Sequence, residues 1–194
     1  MKTNILITLC LILITSCQRQ ESIINEVFNQ QEIEVIDKLI QYYDDFIQIQ
    51  INNKDEGLSR SYLNFLQINT ILAQQGRDMD VLRPSLKAQI DLFSNLKTEF
   101  LEEIFQIKEF DQNIGTNIED KNPPLHINPN GKYVLFMQEL AKVKPLFEPY
   151  AKELAEKGDI GEQCYETMLN LYPRIDFKNK DERFAFIVCI LRRA

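Results

Sequence analysis

The side chains that most often perform catalysis or bind metals are few in this sequence. His126 is the only histidine, and it stands in the segment Pro124-Leu125-His126-Ile127-Asn128. One histidine cannot build an HExxH zinc site or the paired Glu-x-x-His motifs of helical di-iron proteins. CxxCH, GxGxxG, Walker and GxSxG motifs are also absent from the sequence. We therefore expect no metal and no cofactor, and we expect His126 to be a solvated loop residue.

Carboxylates are the remaining candidates for catalysis, because glycoside hydrolysis needs only two acids in different environments. Acidic residues cluster at three places: Asp44 with Asp45, Asp78 with Asp80, and Glu99 with Glu102 and Glu103. Asp44 falls on a polar stripe of the first predicted helix, and Glu99 and Glu103 are i,i+4 neighbours. Solvated helix faces explain these residues better than a catalytic dyad does. The sequence favours a protein that is not an enzyme, with a carboxylate-only cell-wall hydrolase as the enzymatic alternative.

The first seventeen residues carry a different kind of signal. Lys2 is the only charged side chain before Cys17, and residues 5–14 are apolar apart from Thr8. Ten residues of helix span roughly 15 Å, whereas a bilayer core is about 30 Å thick. The segment is therefore too short for a permanent membrane span. A positive start, a short apolar stretch and small residues before a cut are typical of a secretory signal.

The end of this segment, Ile14-Thr15-Ser16-Cys17, resembles the bacterial lipobox, in which an aliphatic residue and two small residues precede a cysteine. The resemblance covers residues 1–17 only. It implies a bacterial lipoprotein whose signal, residues 1–16, is removed. The Cys17 thiol would then receive a diacylglycerol, and the new amino terminus a fatty acid such as palmitate. Two or three acyl chains anchor a protein stably to a bilayer. The alternative is an ordinary signal peptide with an incidental cysteine at the cut.

The residue after Cys17 bears on the membrane in which such a protein would reside. Gln18 stands where many lipoproteins of the inner membrane carry aspartate. This favours the outer membrane, with the protein facing the periplasm. Display at the cell surface is the alternative.

Net charge restricts the classes of partner. The chain carries 22 basic and 29 acidic residues, a net charge of −7, which becomes −8 when Lys2 leaves with the signal. Residues 17–141 hold 11 basic and 20 acidic residues, whereas residues 142–194 hold 10 and 9. Nucleic acid binding depends on lysine and arginine at phosphates, so the composition argues against it. An acidic body suits a basic protein partner, although solubility alone also explains the charge.

Two cysteines remain after the signal and the lipidation site are set aside. Cys164 and Cys189 would lie in an oxidising compartment, where disulfides persist. Closing their loop of about 26 residues would contribute about 3–4 kcal/mol. We predict this disulfide, with two buried thiols as the alternative.

The elements that hold these residues are predicted to be helices throughout, because apolar residues recur at helical spacing and only 6 glycines occur. The predicted helices cover residues 32–54, 59–75, 84–110, 133–158 with a break near Lys144, 162–172 and 181–193. Proline, glycine and asparagine predict a long loop over residues 111–131. The sequence thus predicts one all-α domain of six or seven helices at 31–194, packed as a bundle or orthogonally. Residues 17–30 are predicted to be the lipidated N-terminus and a tether.

These features together favour a membrane-anchored, non-enzymatic lipoprotein of the bacterial envelope. Its partners would be the bilayer, through acylated Cys17, and a protein, with the 111–131 loop as a candidate surface. An inhibitor or immunity protein that caps a basic toxin is the sharpest form of this hypothesis. The alternative is a structural or assembly component of an envelope machine for secretion, motility or outer-membrane maintenance.

Overall fold

The computed structural model describes residues 22–51, 57–75, 84, 86–96, 98–106, 126–157, 167–168 and 170–191. About 80% of them are helical, so the prediction of an all-α domain is confirmed. Eight α-helices lie in these ranges: α1 (Ile23–Val27), α2 (Gln30–Ile51), α3 (Leu58–Gln74), α4 (Leu86–Ser94), α5 (Thr98–Glu102), α6 (Lys132–Val143), α7 (Glu148–Lys157) and α8 (Lys180–Leu191).

The packed domain includes residues 22–30, which the sequence assigned to the tether. Ile24 of α1 is fully buried, and Ile23 and Phe28 are each 4% exposed. The prediction of a tether that extends to residue 30 is therefore wrong for residues 22–30. The five residues Ile23–Val27 are too few to form a stable helix alone, and α1 is stabilised by packing on α6 and α2 and by hydrogen bonds from its first amides to Asp181.

α2 starts with a reciprocal capping arrangement at Asn29 and Glu32. The Asn29 side-chain oxygen accepts a hydrogen bond from the Glu32 main-chain amide at 3.1 Å. The Glu32 carboxylate in turn accepts one from the Asn29 main-chain amide at 2.8 Å. This capping box satisfies amides that would otherwise lack partners at the start of the helix. α2 and α3 then pack against each other, with bounds close to those predicted.

The prediction of one long helix over residues 84–110 is wrong, because the helix is interrupted between α4 and α5. Ser94 Oγ and Asn95 Nδ2 both donate to the Asp91 carbonyl oxygen, at 3.0 and 2.6 Å. The Asn95 and Leu96 amides bond to carbonyls three residues back, a tighter turn than an α-helix. Side chains that bond to a nearby carbonyl compete with the helical pattern.

A short antiparallel pair follows α5, where the sequence predicted more helix. Strand β1 (Phe105–Gln106) pairs with β2 (His126–Ile127). Phe105 and Ile127 are buried, at 2% and 1% exposed, so the pair has an apolar inner side. The pair attaches the end of the predicted 111–131 loop to the domain, whereas residues 111–125 lie outside the described residues.

The predicted break near Lys144 is confirmed. α6 ends at Val143, a 3₁₀ turn spans Pro145–Phe147, and α7 continues from Glu148. Proline lacks the amide that a continuous helix needs, so Pro145 opens a new segment. α7 packs back against α6.

α8 is the central helix of the domain. The sequence predicted one inward face, but nearly every residue from Phe184 to Leu191 is buried, including Ala185, Phe186 and Cys189. An uninterrupted apolar run is typical of a helix that is surrounded on all sides.

The end of the chain bears on two further predictions. Residues 167–168 and 170–171 are helical. A 3₁₀ turn at Tyr172–Arg174 follows and includes Pro173, the residue directly after the predicted helix 162–172. Cys189 is buried, 1% exposed, and no disulfide joins two residues of the described ranges. Cys164 lies outside them, so its bond to Cys189 stays a prediction.

Candidate functional site

The first turn of α8 places three consecutive charged residues inside the domain. Asp181 and Glu182 are 6% and 0% exposed, and the Arg183 side chain is 15% exposed. Buried charges are strongly unfavourable unless partners replace the lost water. The contacts of these three residues involve Asp44 of α2, Tyr62 of α3, Lys144 after α6 and the start of α1. We call the set of Asp44, Tyr62, Lys144 and residues 181–183 the polar junction.

Asp181 fixes the start of the domain. Its carboxylate accepts hydrogen bonds from the Ser22 hydroxyl at 2.5 Å and from the main-chain amides of Ile23 and Ile24 at 3.0 and 3.2 Å. These amides are the first of α1, whose N-terminal end carries partial positive charge. Asp181 therefore serves as a cap supplied from the opposite end of the chain.

Glu182 links the segment before α8 to the break between α6 and α7. One carboxylate oxygen accepts the Asp176 amide at 2.8 Å, and the other lies 2.8 Å from Lys144 Nζ. The hydrogen bond to Glu182 raises the pKa of Lys144 above its ordinary value. Lys144 is therefore held in its charged form beside a fully buried carboxylate.

Arg183 joins α8 to α2 and α3. Its Nε lies 3.7 Å from Asp44 Oδ1, and one terminal nitrogen donates to the Phe177 carbonyl at 2.9 Å. The Tyr62 hydroxyl donates to the same Asp44 oxygen at 2.7 Å, and its ring stacks on Phe177 with centroids 4.6 Å apart. Burial raises the pKa of Asp44, although the Tyr62 hydrogen bond and Arg183 oppose that change. Burial and the Asp44 charge also raise the pKa of Tyr62 well above its ordinary range.

The polar junction has the shifted pKa values of a reactive site but lacks the open space. Its carboxylates accept hydrogen bonds from neighbouring segments, and no junction residue lines the groove described below. The sequence placed Asp44 on a solvated stripe, and this expectation is wrong, since the residue is 9% exposed. The arrangement is best explained as a connection between helices.

The other carboxylates considered for catalysis occupy the surface where the structure describes them. Asp45 is exposed and accepts the Gln41 side chain at 2.9 Å. Glu99 and Glu102 are exposed as well, whereas Asp78 and Asp80 lie outside the described residues. Glu103 is half-buried just after α5, and the exposed acids lie on solvated helix faces.

A shallow groove of about 470 Å³ runs between α6 and α7. Small residues form the floor of the groove, and charged residues form its edges. The lining residues are Gln138, Ala141, Lys142, Pro145, Glu148, Ala151, Lys152 and Ala155. Lys142 is already paired with Glu139 at 2.6 Å. We call this feature the α6–α7 groove. It is open to solvent and could receive one or two side chains of a bound protein.

Large aliphatic side chains are exposed on α3 and α6. Leu63, Ile68 and Ile71 of α3 are 39–45% exposed, and Leu135 of α6 is 46% exposed. Single exposed apolar residues are ordinary on protein surfaces. Three on the outward side of one helix form a small apolar strip, which adds contact area without constituting a cavity.

Several predicted sites fall outside the reach of the structure. Cys17 lies outside the described residues, and only the main chain of His126 is placed, in β2. Among the residues with assigned positions, no helix has the length and apolar character that crossing a bilayer requires. The same residues contain no cluster of three metal-binding side chains. No family model, curated protein or solved structure matches this chain.

Proposed function

We propose that the protein is a bacterial envelope lipoprotein, anchored through acylated Cys17, whose helical domain binds a protein partner without catalysis. The lipobox-like sequence of residues 14–17 supports the anchor. One observation carries the binding role. The buried ionisable side chains of the polar junction are engaged in joining helices, while the surface offers exposed aliphatic residues and a shallow groove.

The charge distribution favours a basic partner. Residues 17–141 carry 20 acidic against 11 basic residues. Glu34 and Asp45 are exposed on α2, and Asp91 of α4 is exposed close by. Burial raises the pKa of Tyr42, and the charge of Asp91 adds to that increase, which places α4 beside α2. Exposed Lys38 lies between Glu34 and Asp45 on the same side of α2, so this surface carries three acids against one lysine. We call Glu34, Asp45 and Asp91 the acidic face. Opposite potentials accelerate association and select partners, as in an inhibitor or immunity protein that caps a basic toxin.

A crosslinked pull-down of the lipidated protein from its own cell envelope, read by mass spectrometry, tests the role. A single stoichiometric basic protein supports the proposal. Many subunits of one envelope assembly support a structural or assembly component instead. Recovery of no partner, together with clearing of purified cell wall by the mature protein, would contradict the proposal and favour a carboxylate hydrolase.

Charge reversal tests the acidic face once a partner is in hand. Asp45→Lys with Asp91→Lys should slow association about tenfold or more and weaken its dependence on salt. Glu99→Lys with Glu102→Lys on α5 is the matched control, because both acids are exposed, neither belongs to the acidic face or lines the α6–α7 groove, and the change in net charge is equal. Equal effects of the two pairs would show that net charge, and not the acidic face, governs binding.

Metabolic labelling with a fatty acid tests the anchor separately. The wild-type protein should incorporate the label and sediment with membranes, and Cys17→Ser should do neither. A wild type without label, or a Cys17→Ser variant with equal label, rules out the lipoprotein assignment. For the immunity form, expression should protect cells against a co-encoded toxin.

A further inference from the structure

Ser22 is the first residue that the structure describes, and it is bonded to the domain. Its hydroxyl and the two amides that follow all donate to Asp181, at 2.5–3.2 Å. Ile23 and Ile24 are buried directly behind it. Because side-chain burial and hydrogen bonds act together, the chain is held at Ser22 and cannot lengthen the preceding segment by unwinding α1 without exposing these residues.

Only four residues, 18–21, separate Ser22 from Cys17. An extended chain spans at most about 3.3–3.6 Å per residue, so the five steps from Cys17 to Ser22 reach about 17 Å. A domain of this length has a radius of gyration of about 15 Å and is therefore about 40 Å across. The reach is less than half of that width.

We propose that the end of the domain around Ser22 and Asp181 faces the phospholipid bilayer and stays within about 17 Å of it. This inference rests on the acylation of Cys17 in the proposed function. A tether shorter than the width of the domain does not let the domain turn over. The surface opposite Ser22 therefore points away from the lipid, and partners bind the sides and the far end.

The charges at this end indicate that the tether, and not electrostatic attraction, holds the surface near lipid. Lys180 is paired with Asp37, and Lys144 with Glu182. Asp181 is satisfied by Ser22 and the α1 amides. Lys178 is exposed nearby, but so are Glu26 and Asp176, so this end carries no excess of positive charge and contact with anionic headgroups adds little. High salt should therefore leave the orientation unchanged.

The test uses the absence of tryptophan from the sequence. A single tryptophan is introduced by Asn25→Trp in α1, Gln50→Trp near the end of α2, or Glu102→Trp at the end of α5, all at exposed positions. Gln50 lies about 20 Å along α2 from Asp37, which is beside Lys180. Glu102 lies near the start of α6, about 18 Å from the Lys144 end. Two distant positions are used because a tilted domain would bring one of them closer to the bilayer than the other.

Each variant is purified as the mature acylated protein and reconstituted in mixed vesicles of phosphatidylcholine and anionic phosphatidylglycerol that contain dansyl-labelled headgroups. Energy transfer from the Asn25→Trp variant should be at least double that from either distant variant, at low and at high salt. Insertion of a flexible 60-residue Gly-Ser linker after Gln20, with a mean reach of about 43 Å, should remove the difference.

The outcomes separate the two proposals. Mass spectrometry of the purified protein shows first whether Cys17 carries acyl chains, and an unmodified protein contradicts the proposed function. Acylated protein with equal transfer from all three tryptophans, or with greater transfer from Gln50→Trp or Glu102→Trp, overturns the orientation alone. A difference that survives linker insertion would overturn the role of the tether, because an intrinsic affinity of the surface for lipid would then be responsible.

Discussion

Burial and hydrogen bonding act in opposite directions on the charge of Asp44. The carboxylate loses water, which favours its protonated form, while Tyr62 and Arg183 favour the anion. Asp44→Ala should lower the free energy of unfolding by about 1–3 kcal/mol, because it leaves the buried Tyr62 hydroxyl without its acceptor and removes the anion that pairs with Arg183. Urea unfolding measures this loss. Asp45→Ala, at the exposed neighbouring position, should change stability little, and equal losses would contradict the assigned contacts.

The raised pKa of Asp44 also predicts a pH dependence with a definite sign. A carboxyl group with a higher pKa in the folded state binds its proton more tightly there. Its contribution to stability is present below the unfolded pKa and is lost as the pH rises through the folded pKa. Wild type should therefore gain stability relative to Asp44→Asn when the pH falls from about 7 to about 4. Urea unfolding of both proteins across this range gives the difference, and a constant or opposite difference would refute it.

Residue types contain enough information to predict some of these contacts and not others. Asn29 and Glu32 have the spacing of a capping box, so that cap was available from the sequence. The burial of Asp44 was not, because it depends on Arg183, which lies far away in the chain. The polar junction therefore escaped prediction, since a carboxylate on a polar stripe looks the same whether it meets water or a distant guanidinium.

At the scale of elements, apolar spacing predicted the core better than it predicted helix boundaries. Phe93, Leu96, Phe100 and Ile104 were predicted to share one side of a long helix, and all four are buried although the helix is broken. These side chains are buried because apolar residues recur every three or four positions, and this spacing places them on the core side of both short helices and the turns that follow them. The boundary depends on Ser94 and Asn95, whose side chains take the Asp91 carbonyl from the helical pattern.

The turn that leads into α6 depends on the absence of a side chain at Gly131. A Cβ at this position would overlap the Glu103 carbonyl oxygen, a rigid main-chain atom. Gly131→Ala should therefore displace the start of α6 from the end of α5 and lower stability by about 1–3 kcal/mol. Asn130→Ala, at the exposed preceding position, is the control for thermal unfolding. A Gly131→Ala protein as stable as the control would mean that the two segments do not approach so closely.

At the scale of the whole molecule, the polar junction joins the two ends of the described chain. Asp181 holds α1, Glu182 holds the α6–α7 break, and Arg183 holds α2 and α3 through Asp44. Elements linked through one central helix should lose their structure together. The prediction is a single transition in which a local probe of α1 and the total helix content change at the same denaturant concentration.

Asn25→Trp supplies the local probe, because the chain contains no other tryptophan whose fluorescence would overlap with it. In the otherwise wild-type protein, its fluorescence and the far-ultraviolet circular dichroism should report coincident unfolding. Adding Asp181→Ala removes the acceptor of three donors at the start of α1, at an expected cost of about 1–3 kcal/mol. The fluorescence transition should then precede the loss of total helix, because α1 retains only its apolar contacts. Asp181→Asn keeps one acceptor oxygen and should separate the two transitions less. Two separate transitions before any change at Asp181 would show that α1 is not fixed by this carboxylate, and the short reach from the membrane would then have no firm point of attachment.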